Sequence, residues 1–192
     1  MPAAWSWASK MADSVLGNHM PLRHSLSRWL ILALLCAASL QGHAAALGVG
    51  AVPPDRLGET LGGKAVTLSS YPGRAVVVTF WASWCQYCLK ELPVLENIQR
   101  KVGKDRLQVI AVNGEDFDTF RKLARIMKPF EIQVISDSGK EVHDAYGVSG
   151  IPHMVIIGRD GKIQQVYRGY AESELPAIVA DLNKAIGAIP QP

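Results

Sequence analysis

Cys85 and Cys88 stand two residues apart, where an apolar run ends and a helical pattern begins. Two thiols at that spacing can form, break and exchange a single disulfide. A sulfur in the first turn of a helix meets free backbone N–H groups and the positive end of the helix dipole, which stabilise a thiolate on Cys85. The run before it, Ala75-Val-Val-Val-Thr-Phe80, reads as a buried strand that holds the turn rigidly. The chemistry is legible from these residues, whereas the partner protein is not.

Other uses of a Cys-x-x-Cys pair fit poorly. A structural zinc needs four ligands, and from Leu47 onward the chain has neither a second such pair nor closely spaced histidines. Covalent haem attachment needs His after the second cysteine, where Leu89 stands. A peroxidatic cysteine is expected to follow Thr or Ser by three residues, and that position holds Ala82. No metal and no cofactor are expected. The net charge is +3, but from Leu47 onward 17 Lys and Arg face 16 Asp and Glu. No basic stripe with interleaved aromatics appears, so a nucleic-acid partner is not expected.

The N-terminus reads as a targeting segment. Arg23 and Arg28 precede the apolar run Trp29–Leu40, and Ala44-Ala45-Ala46 offers a cleavage site. A run of twelve residues is short for a membrane span, although an uncleaved anchor stays open. Met20 would begin a more ordinary signal, which makes residues 1–19 a candidate start-site artefact. The expected division is 1–46 as signal peptide or anchor and 47–192 as one domain. Cys36 lies within the signal, and Leu35 before it argues against a lipoprotein site. Once the signal is removed, Cys85 and Cys88 can pair only with each other or with a substrate. So short a loop does little to staple a fold, and a redox role is the better reading.

The elements that must position the pair follow from pattern. Residues 47–56 read as an extended lead-in and Thr60–Leu68 as a hairpin around Gly62-Gly63. A helix from near Cys85 repeats Leu89, Leu92, Leu95 and Ile98 at helical spacing, with a kink expected at Pro93. Leu107–Val112 and Ile132–Ile135 read as strands, and Asp118–Lys128 and Lys140–Tyr146 as helices. His153–Ile157 and Ile163–Arg168 form a hairpin, and Glu172–Ile186 a closing helix with Pro176 in its first turn. Alternating strands and helices followed by a hairpin and helix predict a three-layer α/β/α sandwich.

The segment Phe80-Trp-Ala-Ser-Trp-Cys-Gln-Tyr-Cys-Leu-Lys-Glu-Leu-Pro93 resembles the active-site segment of the thioredoxin superfamily, and more narrowly that of the extracytoplasmic TlpA-like thiol:disulfide reductases. Pro53-Pro54-Asp55 followed by Gly63-Lys-Ala-Val-Thr-Leu68 resembles that family's N-terminal hairpin. Gly150-Ile151-Pro152 and the later Arg159-Asp-Gly-Lys162 resemble its cis-proline segment and final hairpin. The resemblance covers about residues 52–186 and implies a thioredoxin-like fold with an N-terminal β-hairpin and a central helix–strand insertion.

It also implies roles. Cys85 is the nucleophile that forms a mixed disulfide, and Cys88, one turn inside, resolves it. Trp84 offers an apolar docking surface, whereas Trp81 packs. Pro152 is expected to be cis and to leave the backbone of Ile151 free to pair with an extended substrate. Glu91, three residues after Cys88, occupies the position where the family carries an acid that assists the resolving thiol; a solvated helix charge is the alternative reading. Thioredoxin itself has a buried Asp six residues before the first cysteine, but here Thr79 stands there, which leaves proton transfer to Glu91 or water. His153 is read as a strand-end side chain, with tuning of Cys85 by charge or metal binding as alternatives, and His143 as a helix-surface histidine. Gln86-Tyr87 fills the variable dipeptide.

The leading expectation is an exported, periplasmic or extracytoplasmic reductase acting as a monomer on disulfide-bearing exported proteins, an apocytochrome c among the candidates. A membrane thiol donor would re-reduce it. Two alternatives stay open: an oxidase on the same fold, and a copper-binding assembly factor using Cys85, Cys88 and a histidine.

Overall fold

The computed structural model describes residues 47–187. The expected targeting segment, with its apolar run and Cys36, lies outside these residues. Among the described residues no helix is long and apolar enough to cross a membrane.

Seven strands form one mixed sheet: β1 (Arg56–Glu59), β2 (Ala65–Thr67), β3 (Ala75–Trp81), β4 (Leu107–Asn113), β5 (Gln133–Ser136), β6 (His153–Ile157) and β7 (Ile163–Arg168). Their spatial order is β2-β1-β5-β4-β3-β6-β7. β3, β4 and β5 run parallel, while β6 and β7 on one side and β1 and β2 on the other are antiparallel to their neighbours. The helices are α1 (Gln86–Val102), α2 (Phe117–Ile126), α3 (Glu141–Ala145) and α4 (Leu175–Ile186).

Every residue of β3 and β4 is buried, as near-continuous Val, Ile and Leu runs in a parallel sheet covered on both faces require. Alternate side chains feed two cores. Val77, Trp81, Val109 and Met154 pack with Leu92 and Leu95 of α1 and with Ile178 and Leu182 of α4. Val78, Phe80, Val112 and Val155 pack on the opposite face with Val142 and Tyr146, beside the lead-in and Leu57. The result is a thioredoxin-like sandwich, with α2 and β5 as the extra unit between α1 and the final hairpin.

Several boundaries differ from the pattern reading. The hairpin's first arm is Arg56–Glu59, and Thr60–Lys64 is its turn, closed by Gly63 N–H donating to Thr60 O. Gly58 cannot be replaced by a larger residue: its φ is +130°, and a Cβ there would lie 2.5 Å from Ser136 O. The closing helix begins as a 3-10 turn over Glu172–Glu174. α1 continues on both sides of Pro93, which lacks the N–H that Leu89 O would otherwise accept. Its far half is tied down by polar bonds: Gln99 Oε1 accepts from Val109 N at 2.6 Å, and Glu96 accepts from the N–H groups of Glu131 and Ile132.

Candidate active site

The three parallel strands end in one row, Trp81 beside Asn113 beside Ser136. The loops that follow carry the polar groups of the site, at the carboxyl edge where open α/β sheets place their ligands.

Cys85 and Cys88 form a disulfide. Cys85 is the N-cap of α1, and its Sγ accepts from Cys88 N at 3.2 Å. Both sulfur-bearing residues are buried in the oxidised protein, Cys85 at 6% exposure and Cys88 at 1%. The apolar surface around them is exposed: Trp84 at 72%, Tyr87 at 61%. Trp81, by contrast, is buried in the core, as its packing role requires.

The turn before Cys85 is pinned from the neighbouring strand. Glu115 accepts from Ser83 N at 2.7 Å and from Ser83 Oγ at 2.8 Å. Asn113 Nδ2 donates to the same carboxylate at 2.9 Å, and Asn113 Oδ1 accepts from Glu115 N. Pattern reading missed Asn113 and Glu115. The available signal was their place just past the end of a buried parallel strand.

Glu91 is not a solvated helix charge. It is 2% exposed on the inner face of α1, and Thr79 Oγ1 donates to its Oε1 at 2.6 Å. Its Oε2 is buried without a hydrogen-bond partner. Burial raises its pKa to about 7, and the Thr79 bond lowers it only in part. The departure from the thioredoxin pattern at position 79 thus places a hydroxyl against the carboxyl that α1 supplies.

The peptide Ile151–Pro152 is cis. Pro152 is buried, and Ile151 lies on the wall of a cleft of about 480 Å³ that Trp84, Gly114 and His143 also line. Trp84, Ile151 and the turn before Cys85 therefore meet at one opening.

His143 corrects the surface reading. It is buried on α3, its Nδ1 lies 2.6 Å from Asp137 Oδ2, and its ring meets Phe80 edge-on at 4.8 Å. Five-residue α3 packs its histidine inward because Val142 within it and Tyr146 at its C-cap already bind it to the core. His153, opposite Phe80 in the β3–β6 register, is buried too. Burial first, then the charges of Arg168 and His143, lower its pKa to about 4. Near neutral pH its imidazole carries no charge with which to tune Cys85.

The sequence is also similar to known proteins. The model of the AhpC/TSA family matches residues 49–166. The thiol-disulfide oxidoreductase ResA of Bacillus subtilis is 30% identical over 151 residues, covering 73% of this chain and 82% of the relative. A crystal structure described as a putative thiol:disulfide interchange protein DsbE from Chlorobium tepidum superposes with a TM-score of 0.64 at 28% identity, covering 73% of this chain and 99% of that one. The exposed lipoprotein thioredoxin Etrx1 of Streptococcus pneumoniae gives a TM-score of 0.54 at 28% identity, covering 67% of this chain and 97% of that one. The Cys-x-x-Cys disulfide caps the helix after a central parallel strand, and the chain belongs to the AhpC/TSA family as a thioredoxin-like thiol:disulfide oxidoreductase.

Proposed function

We propose that the protein is an exported reductase that opens disulfides in extracytoplasmic proteins. Residues 1–46 direct export, and residues 47–192 form the working domain as a monomer. The observation that carries the reading is the Cys85–Cys88 disulfide at the start of α1, with Cys85 Sγ facing the Cys88 N–H. In the reduced protein that N–H and the helix dipole favour a thiolate on Cys85. The thiolate attacks one sulfur of a substrate disulfide: a new S–S bond forms, and the electron pair of the broken bond leaves on the other substrate sulfur. Cys88 then attacks Cys85 Sγ, which releases the reduced substrate and restores the enzyme disulfide.

Glu91 serves the second step. A carboxyl held near pKa 7 on the helix that carries Cys88 can take the proton of that thiol at neutral pH. Trp84 and Tyr87 give the substrate an apolar platform, and Ile151 beside Pro152 offers backbone to an extended substrate segment. A membrane thiol donor must return electrons, because an oxidising compartment supplies none. An apocytochrome c whose two haem-binding cysteines have oxidised is a fitting substrate; likeness to a DsbE and to an exposed lipoprotein supports export.

The test is the reduction potential of the Cys85–Cys88 pair, measured on residues 47–192 in defined thiol buffers. A value at or below about −220 mV supports the reductase. A value near about −120 mV overturns it in favour of an oxidase on the same fold.

A further inference from the structure

Asp137 and His143 form a buried pair, and His143 lines the cleft beside Trp84. Asp137 follows β5, and its N–H donates to Asn113 O at 2.8 Å. Its carboxylate accepts from Val142 N at 3.2 Å and from His143 N at 2.8 Å, at the start of α3. Burial pushes that carboxyl up, but the bonds from the His143 ring and from these N–H groups outweigh it and hold the carboxyl below its usual range. An ionised carboxylate only accepts, so the 2.6 Å contact with His143 Nδ1 places the ring proton on Nδ1. The neutral imidazole then carries its lone pair on Nε2.

The free edge of the ring is kept open by a glycine. A Cβ on Gly114 would come within 2.7 Å of both Cε1 and Nε2 of His143. Gly114 and His143 line the same cleft as Trp84 and Ile151. The other ionisable groups around the ring are Lys140 and Asp144 on either side of it in sequence, Glu115 from the loop after β4, and His153 across Phe80. A leucine would fill this helix position without the cost of ordering a buried ionisable pair. A tautomer fixed by a carboxylate, with the opposite nitrogen toward a cleft, is the arrangement of an acid–base group.

We propose that His143 is the proton partner of the substrate's departing sulfur. The inference rests on the thiol-exchange reading above. Reduction of a disulfide to two thiols needs two protons, and Glu91 lies on the core side of α1. Attack by the Cys85 thiolate breaks the substrate S–S bond and leaves its electron pair on the departing sulfur, which a substrate docked on Trp84 carries into the cleft that His143 lines. His143 Nε2 first takes a proton from solvent; the imidazolium so formed gives that proton to the departing sulfur, and the ring returns to its neutral form. In the reverse direction the neutral ring takes the proton back. No further oxidant or reductant enters the step.

The experiment compares two substrates by stopped flow with the reduced protein. One is a peptide disulfide between two cysteines, whose leaving thiolate is basic and gains from protonation. The other is an aryl disulfide, whose weakly basic thiolate departs unaided. His143→Gln should lower the ratio of the peptide rate to the aryl rate by about tenfold or more, the low end for general acid catalysis. Gly114→Ala, which puts a methyl 2.7 Å from Cε1 and Nε2 of the ring and so displaces Nε2, should shift the ratio in the same direction. A ratio equal to that of the unmodified protein in both variants overturns the proposal, whether both rates fall together or neither falls. If the unmodified reduced protein opens neither disulfide, the thiol-exchange reading falls first and this proposal with it.

Discussion

Replacing Glu91 by Gln should change how stability depends on pH. In the unfolded chain the Glu91 carboxyl titrates near 4.5, whereas burial raises it to about 7 in the folded protein. Between those values the folded state binds more protons than the unfolded one. The stability Glu91 contributes is therefore complete below pH 4.5 and is lost as pH rises toward 7. A shift of that size corresponds to about 3 kcal/mol. His153 works with the opposite sign. Burial, Arg168 and His143 lower its pKa from 6.5 to about 4, so its contribution is complete above pH 6.5 and lost as pH falls toward 4. In the unmodified protein the two slopes oppose each other across much of the same range. Glu91→Gln removes one of them. The amide still accepts from Thr79 Oγ1, but it puts a donor where Oε2 has no partner, at a cost of about 1–3 kcal/mol at every pH. The difference between the two proteins isolates the titration. Urea unfolding of the oxidised proteins, followed by tryptophan fluorescence from below pH 4.5 to above pH 7, should show the variant gaining about 3 kcal/mol on the unmodified chain across the range. A difference constant to within about 0.5 kcal/mol would refute the assignment of a raised pKa to Glu91.

Three further outcomes are expected. Cys85→Ala should abolish turnover, and Cys88→Ala should accumulate mixed disulfides with substrates on non-reducing gels; no trapped species would count against the exchange mechanism. Trp84→Ala should raise KM for a protein substrate by about tenfold with kcat moved far less, because a large exposed aromatic contributes mainly to docking; its urea midpoint should stay put, and a large loss of stability would show that the ring serves the core instead. Glu115→Gln replaces the charged acceptor of Ser83 N and Oγ with a weaker neutral one and should lower stability by about 1–2 kcal/mol while slowing exchange; an unmoved unfolding midpoint would show that the turn before Cys85 holds itself.

The cysteine pair and its setting were legible from the chain alone. A β-branched, mostly apolar run such as Ala75–Phe80 reads in an α/β protein as a strand buried on both faces, and a Cys-x-x-Cys opening the next helix needs no knowledge of the rest. The order of elements and the final hairpin also followed, because turn residues and periodicity are local. The fate of the polar residues was not local. Glu91 reads as an ordinary charge on a helix until the packing of α1 against Thr79 buries it. Helical spacing left His143 on the surface; the closure of α3 over Phe80 and the arrival of Asp137 from β5 put it inside. Glu115 holds a turn 32 residues before it only because β4 lies parallel to β3 and ends in register with it. Sequence pattern reports which face of an element is apolar, whereas a polar group's partner depends on strand order and register. Those decided the protonation and hydrogen bonding around Cys85 and Cys88, while the sequence had already determined that the two sulfurs would meet.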